Sequence, residues 1–452
     1  MEWVHGDITR VSGVFIWIAI FGTAASLFIE RTNVVSAHRP FQVNFVADFF
    51  EYFNRIKSRK SMFLTLLAVN YFWFLGSVFQ TNVLLYGRNI LGLSDVQTSL
   101  LLVSVSLGIG IGSLLAGRLS EGKIEFGLVP VGAIGLTVFS LFLGAPALGF
   151  SDALVRIFVL GFSAGFYTVP LNSFFQQNSP QEERGKYLAV LNASNAFAVL
   201  MGAGVMWLLG YAMSFNARQI FFIMGAVSLF GTVYILRTLP DAFLRFFNWV
   251  VSHTLYRIRS VGAENVPASG GALLVCNHVS FVDWALIMAA LKRHVRFLMH
   301  RRFYEHPVYG PLCRVMQAIP VAMEDSPKKI AASLQEARRA VEEGHVVCIF
   351  AEGGLTRTGN MLPFSRGFEF IMKGVEAPII PVNIDSIWGS IFTFDEGKYF
   401  WKWPKDFLHP VTVSFGKPMP ATSASHEVRL AVQELSAEAF EHRGKEQKPL
   451  HL

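Results

Sequence analysis

The chain has 452 residues, 52% of them hydrophobic and only 16% charged, with 42 Phe and a formal net charge of +7. This composition excludes an ordinary soluble enzyme and points to a membrane protein. The modest positive charge fits loops facing anionic headgroups, and no nucleic-acid-binding motif accompanies it.

Apolar segments near 11–29, 62–86, 97–117, 128–147, 153–176, 188–210 and 219–237 are each long enough to cross a bilayer core of about 30 Å, which predicts about seven spans. The loop 31–60 holds Arg31, Arg39, Arg55, Lys57, Arg59 and Lys60. Later alternate loops hold Arg118 with Lys123 and Arg184 with Lys186, and the intervening ones only Arg88 and Arg218. The positive-inside bias therefore places the N-terminus outside and everything after 238 in the cytoplasm. The basic flank follows the first apolar segment, which argues against a cleaved signal peptide.

Two further stretches have interfacial character. In FQVNFVADFFEYFNRI (41–56), Asn44, Asp48, Glu51 and Arg55 form one polar stripe among Phe and Val. In DAFLRFFNWVVSHTLYRI (241–258), Asp241, Arg245, Asn248 and Ser252 do the same. Such helices lie on a membrane or pack on their own protein. SLGIGIGSLLAG (106–117) carries glycines at 108, 110, 112 and 117, but lacks the strand and helix that flank a phosphate loop, so close helix packing is expected.

GRLSEGK (117–123), SPQEERGKYLA (179–189) and YFWFLGSVFQTNVLLYGRNILGLS (71–94) resemble the major facilitator superfamily, in particular its lysophospholipid transporter branch. That family has twelve spans, and this chain is similar to the sixth to the twelfth. The resemblance implies that the chain alone does not transport lipid, because the amino-terminal half that walls the other side of the cavity has no counterpart.

From 257 the pattern changes to short apolar runs: ALLVC (272–276), HVVCIF (345–350), APIIPVNI (377–384) and VTVSFG (411–416). Between them IAASLQEARRAVEEG (330–344) has helical spacing and ends at a capping glycine. The expected fold class is a multi-domain membrane protein, an α-helical transmembrane bundle of partial major facilitator type followed by a cytoplasmic α/β domain. Its boundaries are 1–238 for the bundle, 239–258 for an interfacial helix, 259–440 for the α/β domain and 441–452 for a disordered tail. Cys276, Cys313 and Cys348 lack metal or disulfide spacing, and two of them lie in strand-like runs.

In ALLVCNHVSFVDWALIMAA (272–290), a strand leads into His278, with Asp283 five residues later. Residues five apart on a helix diverge by about 140°, so these side chains meet only across a non-helical turn. Ser280 stands at the N-cap position, with Asp283 at capping-box spacing. An aspartate accepting one imidazole N–H leaves the other nitrogen free as a general base. With 12 histidines one H-x4-D pattern arises by chance at roughly even odds. Its weight comes from FAEGGLTRTG (350–359), which places a carboxylate, two glycines and a phosphate-seeking arginine after another buried strand.

NHVSFVD (277–283), FAEGGLTRTG and IIPVNID (379–385) resemble, in this order, the blocks of the glycerolipid acyltransferase family. The resemblance implies a membrane-bound O-acyltransferase moving a fatty acyl group from acyl carrier protein or coenzyme A to the hydroxyl of a lysophospholipid. It implies His278 as base and Asp283 as its orienting partner. Asn277, Ser280, Glu352, Gly353, Gly354, Thr356 and Arg357 are the expected substrate contacts. No metal and no cofactor beyond the acyl donor are expected. Leu355 and Thr356 lengthen the turn before the arginine, and IPVAMED (319–325) offers Met323 and Glu324 where the family often has an arginine. Both features are similar to the branch that acylates lysophosphatidylethanolamine, which is found fused to acyl-ACP synthetases and lysophospholipid transporters, and make lysophosphatidate the less favoured acceptor. No synthetase domain follows, so the activated donor must be supplied. The basic stretch KRHVRFLMHRR (292–302) reads as a dock for acidic acyl carrier protein or headgroups, or as a solvated face. The rival functions are a lysophospholipid flippase with an accessory domain, and a fragment in which neither half works.

Overall fold

The computed structural model describes residues 8–28, 44–120, 122–146, 149–395 and 408–446, and the backbone alone for 8–11 and 442–446. Arg31, Arg39, residues 41–43 and the tail beyond 446 lie outside the described residues. The chain divides into two compact units, 1–243 and 244–452.

The first unit is helical. Each expected apolar segment is a helix: α1 (Ile8–Ser26), α3 (Lys60–Leu85, continued by a π turn Tyr86–Ile90), α4 (Asp95–Ser120), α5 (Leu128–Gly144), α6 (Phe150–Asn178), α7 (Arg184–Trp207, continued by a π turn Leu208–Ala212) and α8 (Ala217–Thr238). Among the described residues α3, α4, α6, α7 and α8 are long and apolar enough to span, while α5 and the Ser12–Ser26 part of α1 are shorter apolar helices. Extended Ala145 and the following Pro146 stop α5 three residues early.

Glycines set the tightest packing. A Cβ on Gly108 or Gly112 of α4 would collide with the backbone oxygens of Phe158 and Phe162 on α6, and one on Gly161 would meet that of Val105. This reciprocal small-residue contact is how apolar helices approach closely without a hydrophobic drive between them. Gly110 and Gly117 face open space and take no part.

The first amphipathic stretch is α2 (Phe45–Lys57), and it packs on its own unit. Tyr52 and Ile56 are buried, and the polar stripe is used internally. Asp48 pairs with Lys186 at 3.2 Å, Arg55 with Glu183 at 3.2 Å, and the Tyr52 hydroxyl donates to Glu183 at 3.0 Å.

The second unit is α/β. It opens within α9 (Pro240–Leu255), whose first turn lies before the boundary, then β1 (Tyr256–Val261), β2 (Ala272–Cys276), α10 (Asp283–Ala290), β3 (Val295–His300), α11 (Arg301–Tyr304), α12 (Tyr309–Val315), β4 (Ile319–Val321), α13 (Pro327–Glu342), β5 (Val346–Phe350), α14 (Gly367–Met372), β6 (Ile379–Asp385), β7 (His409–Phe415) and α15 (Ser425–Glu446). The sheet order is β1-β7-β6-β2-β5-β3-β4, parallel except between β6 and β7. Two expectations change here. The second amphipathic helix ends at Leu255 rather than 258, because Tyr256 to Val261 pair with β7 as an edge strand. The expected tail begins inside α15, whose backbone stays helical to Glu446.

Alternating residues of the central strands fill two layers. Leu274, Cys276 and Cys348 pack with Leu286 and Ile287 of α10, whereas Leu273, Val275 and Val347 pack with Ala337 of α13, Phe368 of α14 and Val428 of α15. The chain leaves β2 towards β3 and leaves β5 back across β2 towards β6, so the connections part at the carboxyl ends of β2 and β5. In open α/β sheets a ligand crevice forms at such a point.

Helix α9 has its polarity turned inward. Asn248 donates to the Ala285 carbonyl at 2.9 Å and Ser252 is buried, while Phe247, Val250, Val251 and Leu255 form an exposed stripe.

Candidate active site

At this edge of the sheet the strand ends are tied together. After β2, the Asn277 amide accepts the Ile384 N–H at 2.8 Å and donates to the Ile384 carbonyl at 3.1 Å, fixing the end of β2 to β6. The next residue is clamped from β5: the His278 N–H donates to Glu352 Oε1 at 2.8 Å, and its carbonyl accepts the Thr356 N–H at 3.0 Å.

Through this placement the imidazole meets Asp283. His278 Nδ1 lies 2.9 Å from Asp283 Oδ2, which also accepts the N–H groups of Val279 at 2.7 Å and Ser280 at 2.9 Å. The Ser280 hydroxyl donates to Oδ1 at 2.6 Å. With two backbone donors already on Oδ2, that oxygen is an acceptor, so Nδ1 carries the proton and Nε2 the lone pair. Nε2 makes no hydrogen bond among the described residues. The Asp283 side chain is wholly buried and that of His278 keeps 22% of its exposure. The ring stacks on Phe350, centroids 4.2 Å apart at 17°. These bonds hold 278–282 as a turn, so α10 begins at Asp283 with Val282 as N-cap, not at the expected Ser280. Ser280 Oγ still accepts the Val282 N–H at 3.3 Å.

In the facing loop, Glu352 spends both oxygens on backbone, the second accepting the Leu362 N–H at 2.7 Å. Burial pushes its carboxyl above the usual carboxylate range, against the downward pull of these two N–H groups and of His278. Thr356 is buried, its hydroxyl donating to the Asn360 carbonyl at 2.7 Å. Gly353 adopts a φ of 72°, and a Cβ there would run into the Met323 methyl. Gly354 is open, and exposed Arg357 has its guanidinium carbon 5.7 Å from the centre of the Phe394 ring.

The nine residues singled out in the sequence thus fall into two groups. His278, Gly353, Gly354 and Arg357 keep solvent exposure, whereas Asn277, Ser280, Asp283, Glu352 and Thr356 form the framework that holds them. Sequence reasoning did not single out Phe350, Phe394 or Ile384. Phe350 was signalled only as the last residue of an apolar run, and the others depend on contacts remote in sequence. Much of the basic stretch is structural: Arg293 donates to the Pro267 and Gly344 carbonyls, and Arg301 pairs with Asp325 at 2.8 Å. All three cysteines are buried and free.

A family model described as Acyltransferase matches residues 257–385, from β1 to the end of β6. The chain carries an acyltransferase domain. Ahead of it, the Major Facilitator Superfamily model matches residues 6–203. The acyltransferase domain is similar to a 1-acyl-sn-glycerol-3-phosphate acyltransferase of Cocos nucifera, 27% identical over 40% of this chain and 56% of that protein. It is also similar to a Bacillus subtilis protein of the same name, 25% identical over 31% of this chain and 69% of that one. The chain further resembles the lysophospholipid transporter LplT of Photorhabdus laumondii, 27% identical over 40% of this chain and 46% of the transporter. It thus spans about half to two thirds of the length of these relatives.

Proposed function

We propose that the protein is a membrane-bound acyltransferase that moves a fatty acyl group from an acyl carrier protein or coenzyme A thioester to the free hydroxyl of a lysophospholipid. The observation that carries this reading is the His278 imidazole, held through Nδ1 by buried Asp283 with Nε2 unengaged, beside exposed Arg357 and open glycine backbone. The acceptor hydroxyl gives its proton to Nε2 as its oxygen attacks the thioester carbonyl. Asp283 steadies the imidazolium, and collapse of the tetrahedral intermediate breaks the C–S bond. The imidazolium proton then passes to the leaving thiolate, returning His278 to its starting form. Arg357 pairs with the glycerophosphate.

Lysophosphatidylethanolamine is the preferred acceptor in this reading, because exposed Met323 and Glu324 stand where a second phosphate-binding cation would serve lysophosphatidate. The domain works on the cytoplasmic face of a bacterial inner membrane, with the exposed apolar stripe of α9 laid on the bilayer. The test is acyl transfer by the full chain in lipid nanodiscs, with labelled acyl-ACP and acyl-CoA against a panel of lysophospholipids. Labelled phospholipid is expected, and no product from any donor and acceptor pair contradicts the proposal.

A second reading, a lysophospholipid flippase with an accessory acyltransferase domain, is favoured by the longer of the two family matches. Transport of labelled lysophospholipid into liposomes by the chain alone, undiminished by His278→Ala, would favour it.

A further inference from the structure

Chain direction puts more than the catalytic dyad on the carboxyl edge of the sheet. Strand β3 runs parallel to β5, which runs parallel to β2, so the chain leaves β3 on the edge where His278 follows β2. The hairpin α11–α12 begins there, at Arg301, directly after β3. Strand β4, parallel to β3, ends on the same edge and delivers Met323 onto Gly353. Along this rim Phe303 is 39% exposed, Val308 71%, Tyr309 49% and Met323 64%. Exposed Arg302 and Arg314 flank the hairpin without a carboxylate partner among the described residues, against one acidic residue, Glu305. The Phe303 and Tyr309 rings pack edge to face, centroids 6.2 Å apart, so the tip is preformed.

Large apolar side chains presented together at a rim mark a docking surface. Aromatic and aliphatic residues bordered by arginines match the composition of a membrane interface, with rings at headgroup depth and cations on lipid phosphates. We infer that the α11–α12 hairpin is a second membrane-docking element, which dips Val308 and Tyr309 into the bilayer and opens the His278 crevice onto the lipid surface from which the acceptor enters. This rests on the proposed lipid acceptor. The spanning helices and α9 tether the unit, whereas contact at the rim brings the base to the level of the glycerol hydroxyl, so that a single-chain lipid need not leave the membrane to react.

The full chain carrying Val308→Cys, labelled at that thiol with an environment-sensitive fluorophore, tests this in nanodiscs of phosphatidylethanolamine and phosphatidylglycerol. The native cysteines are buried, so the label reports one site. Quenching by spin-labelled lipid and protection from aqueous iodide are expected. Quenching by iodide, or shielding from both quenchers as protein contact would give, overturns the inference. Val308→Asp should lower turnover of a bilayer-embedded lysophospholipid at least tenfold while leaving turnover of a water-soluble short-chain analogue unchanged, and equal loss on both, or loss on neither, also overturns it. If the parent turns over neither acceptor, the proposed function fails while the quenching result still decides the docking.

Discussion

The Glu352 carboxylate accepts the backbone N–H of His278 at 2.8 Å, so the residue bearing the base is located by a side chain from the neighbouring strand end. Its second oxygen accepts the Leu362 N–H at 2.7 Å. An amide at 352 has one acceptor for these two donors, and an unsatisfied buried donor costs about 1–3 kcal/mol. Glu352→Gln should therefore lower kcat with little change in the KM for lysophospholipid, because it shifts His278 and removes no lipid contact. Steady-state kinetics decide this, and a rise in KM alone would mean that Glu352 meets the lipid.

The same carboxyl predicts a pH dependence. Burial holds its pKa above the usual carboxylate range, so the folded domain binds this proton more tightly than the unfolded chain does. The stability it adds is fully present below the ordinary carboxylate pKa and is lost as pH rises through the raised folded value. Between mildly acid and neutral pH, the stability of Glu352→Gln relative to the parent should therefore improve. Denaturant unfolding followed by tryptophan fluorescence measures it, and a gap that widens as pH rises would contradict the assignment.

Arg357 is exposed beside the Phe394 ring, and its loss should act on binding. Arg357→Ala should raise the acceptor KM roughly tenfold, about the worth of one charge-assisted hydrogen bond, with a smaller change in kcat. Arg357→Lys should restore only part of it, since a lysine lacks the planar fork. A pure kcat effect in Arg357→Ala would move this residue from holding substrate to stabilising the reacting centre.

How much of this was legible in the sequence depended on the range of the interactions. β2 was read to the residue from ALLVC and β5 to within one, because a buried strand is an unbroken apolar run, while β7 was read to within two residues from the alternating apolar positions of VTVSF. The His278–Asp283 contact was legible because spacing and a strand end suffice to foresee it. The roles of Asn277, Glu352 and Thr356 were not, since a conspicuous polar residue near a site reads as a substrate contact until the strand beside it is known. β1 was hidden because α9 runs straight into it. The inward polar faces of α2 and α9 depend on partners far along the chain, Glu183 and Lys186 for one and Ala285 for the other.

Packing in the first unit is testable without the enzyme. Gly112→Leu places a side chain against the Phe162 backbone of α6, which cannot yield. The yield of folded, monodisperse protein in detergent should fall sharply. Gly110→Leu, in open space on the same helix, should behave as the parent. Equal behaviour of the two variants would show that α4 and α6 do not pack as described.

The central claim is that His278 is the proton acceptor, and single-turnover acyl transfer by His278→Ala tests it most directly. A positioned general base is worth about 10²–10⁴-fold in rate, so transfer to lysophospholipid should fall by that factor, with membrane insertion and acceptor binding intact. Transfer at a near-parental rate by folded His278→Ala would contradict the account.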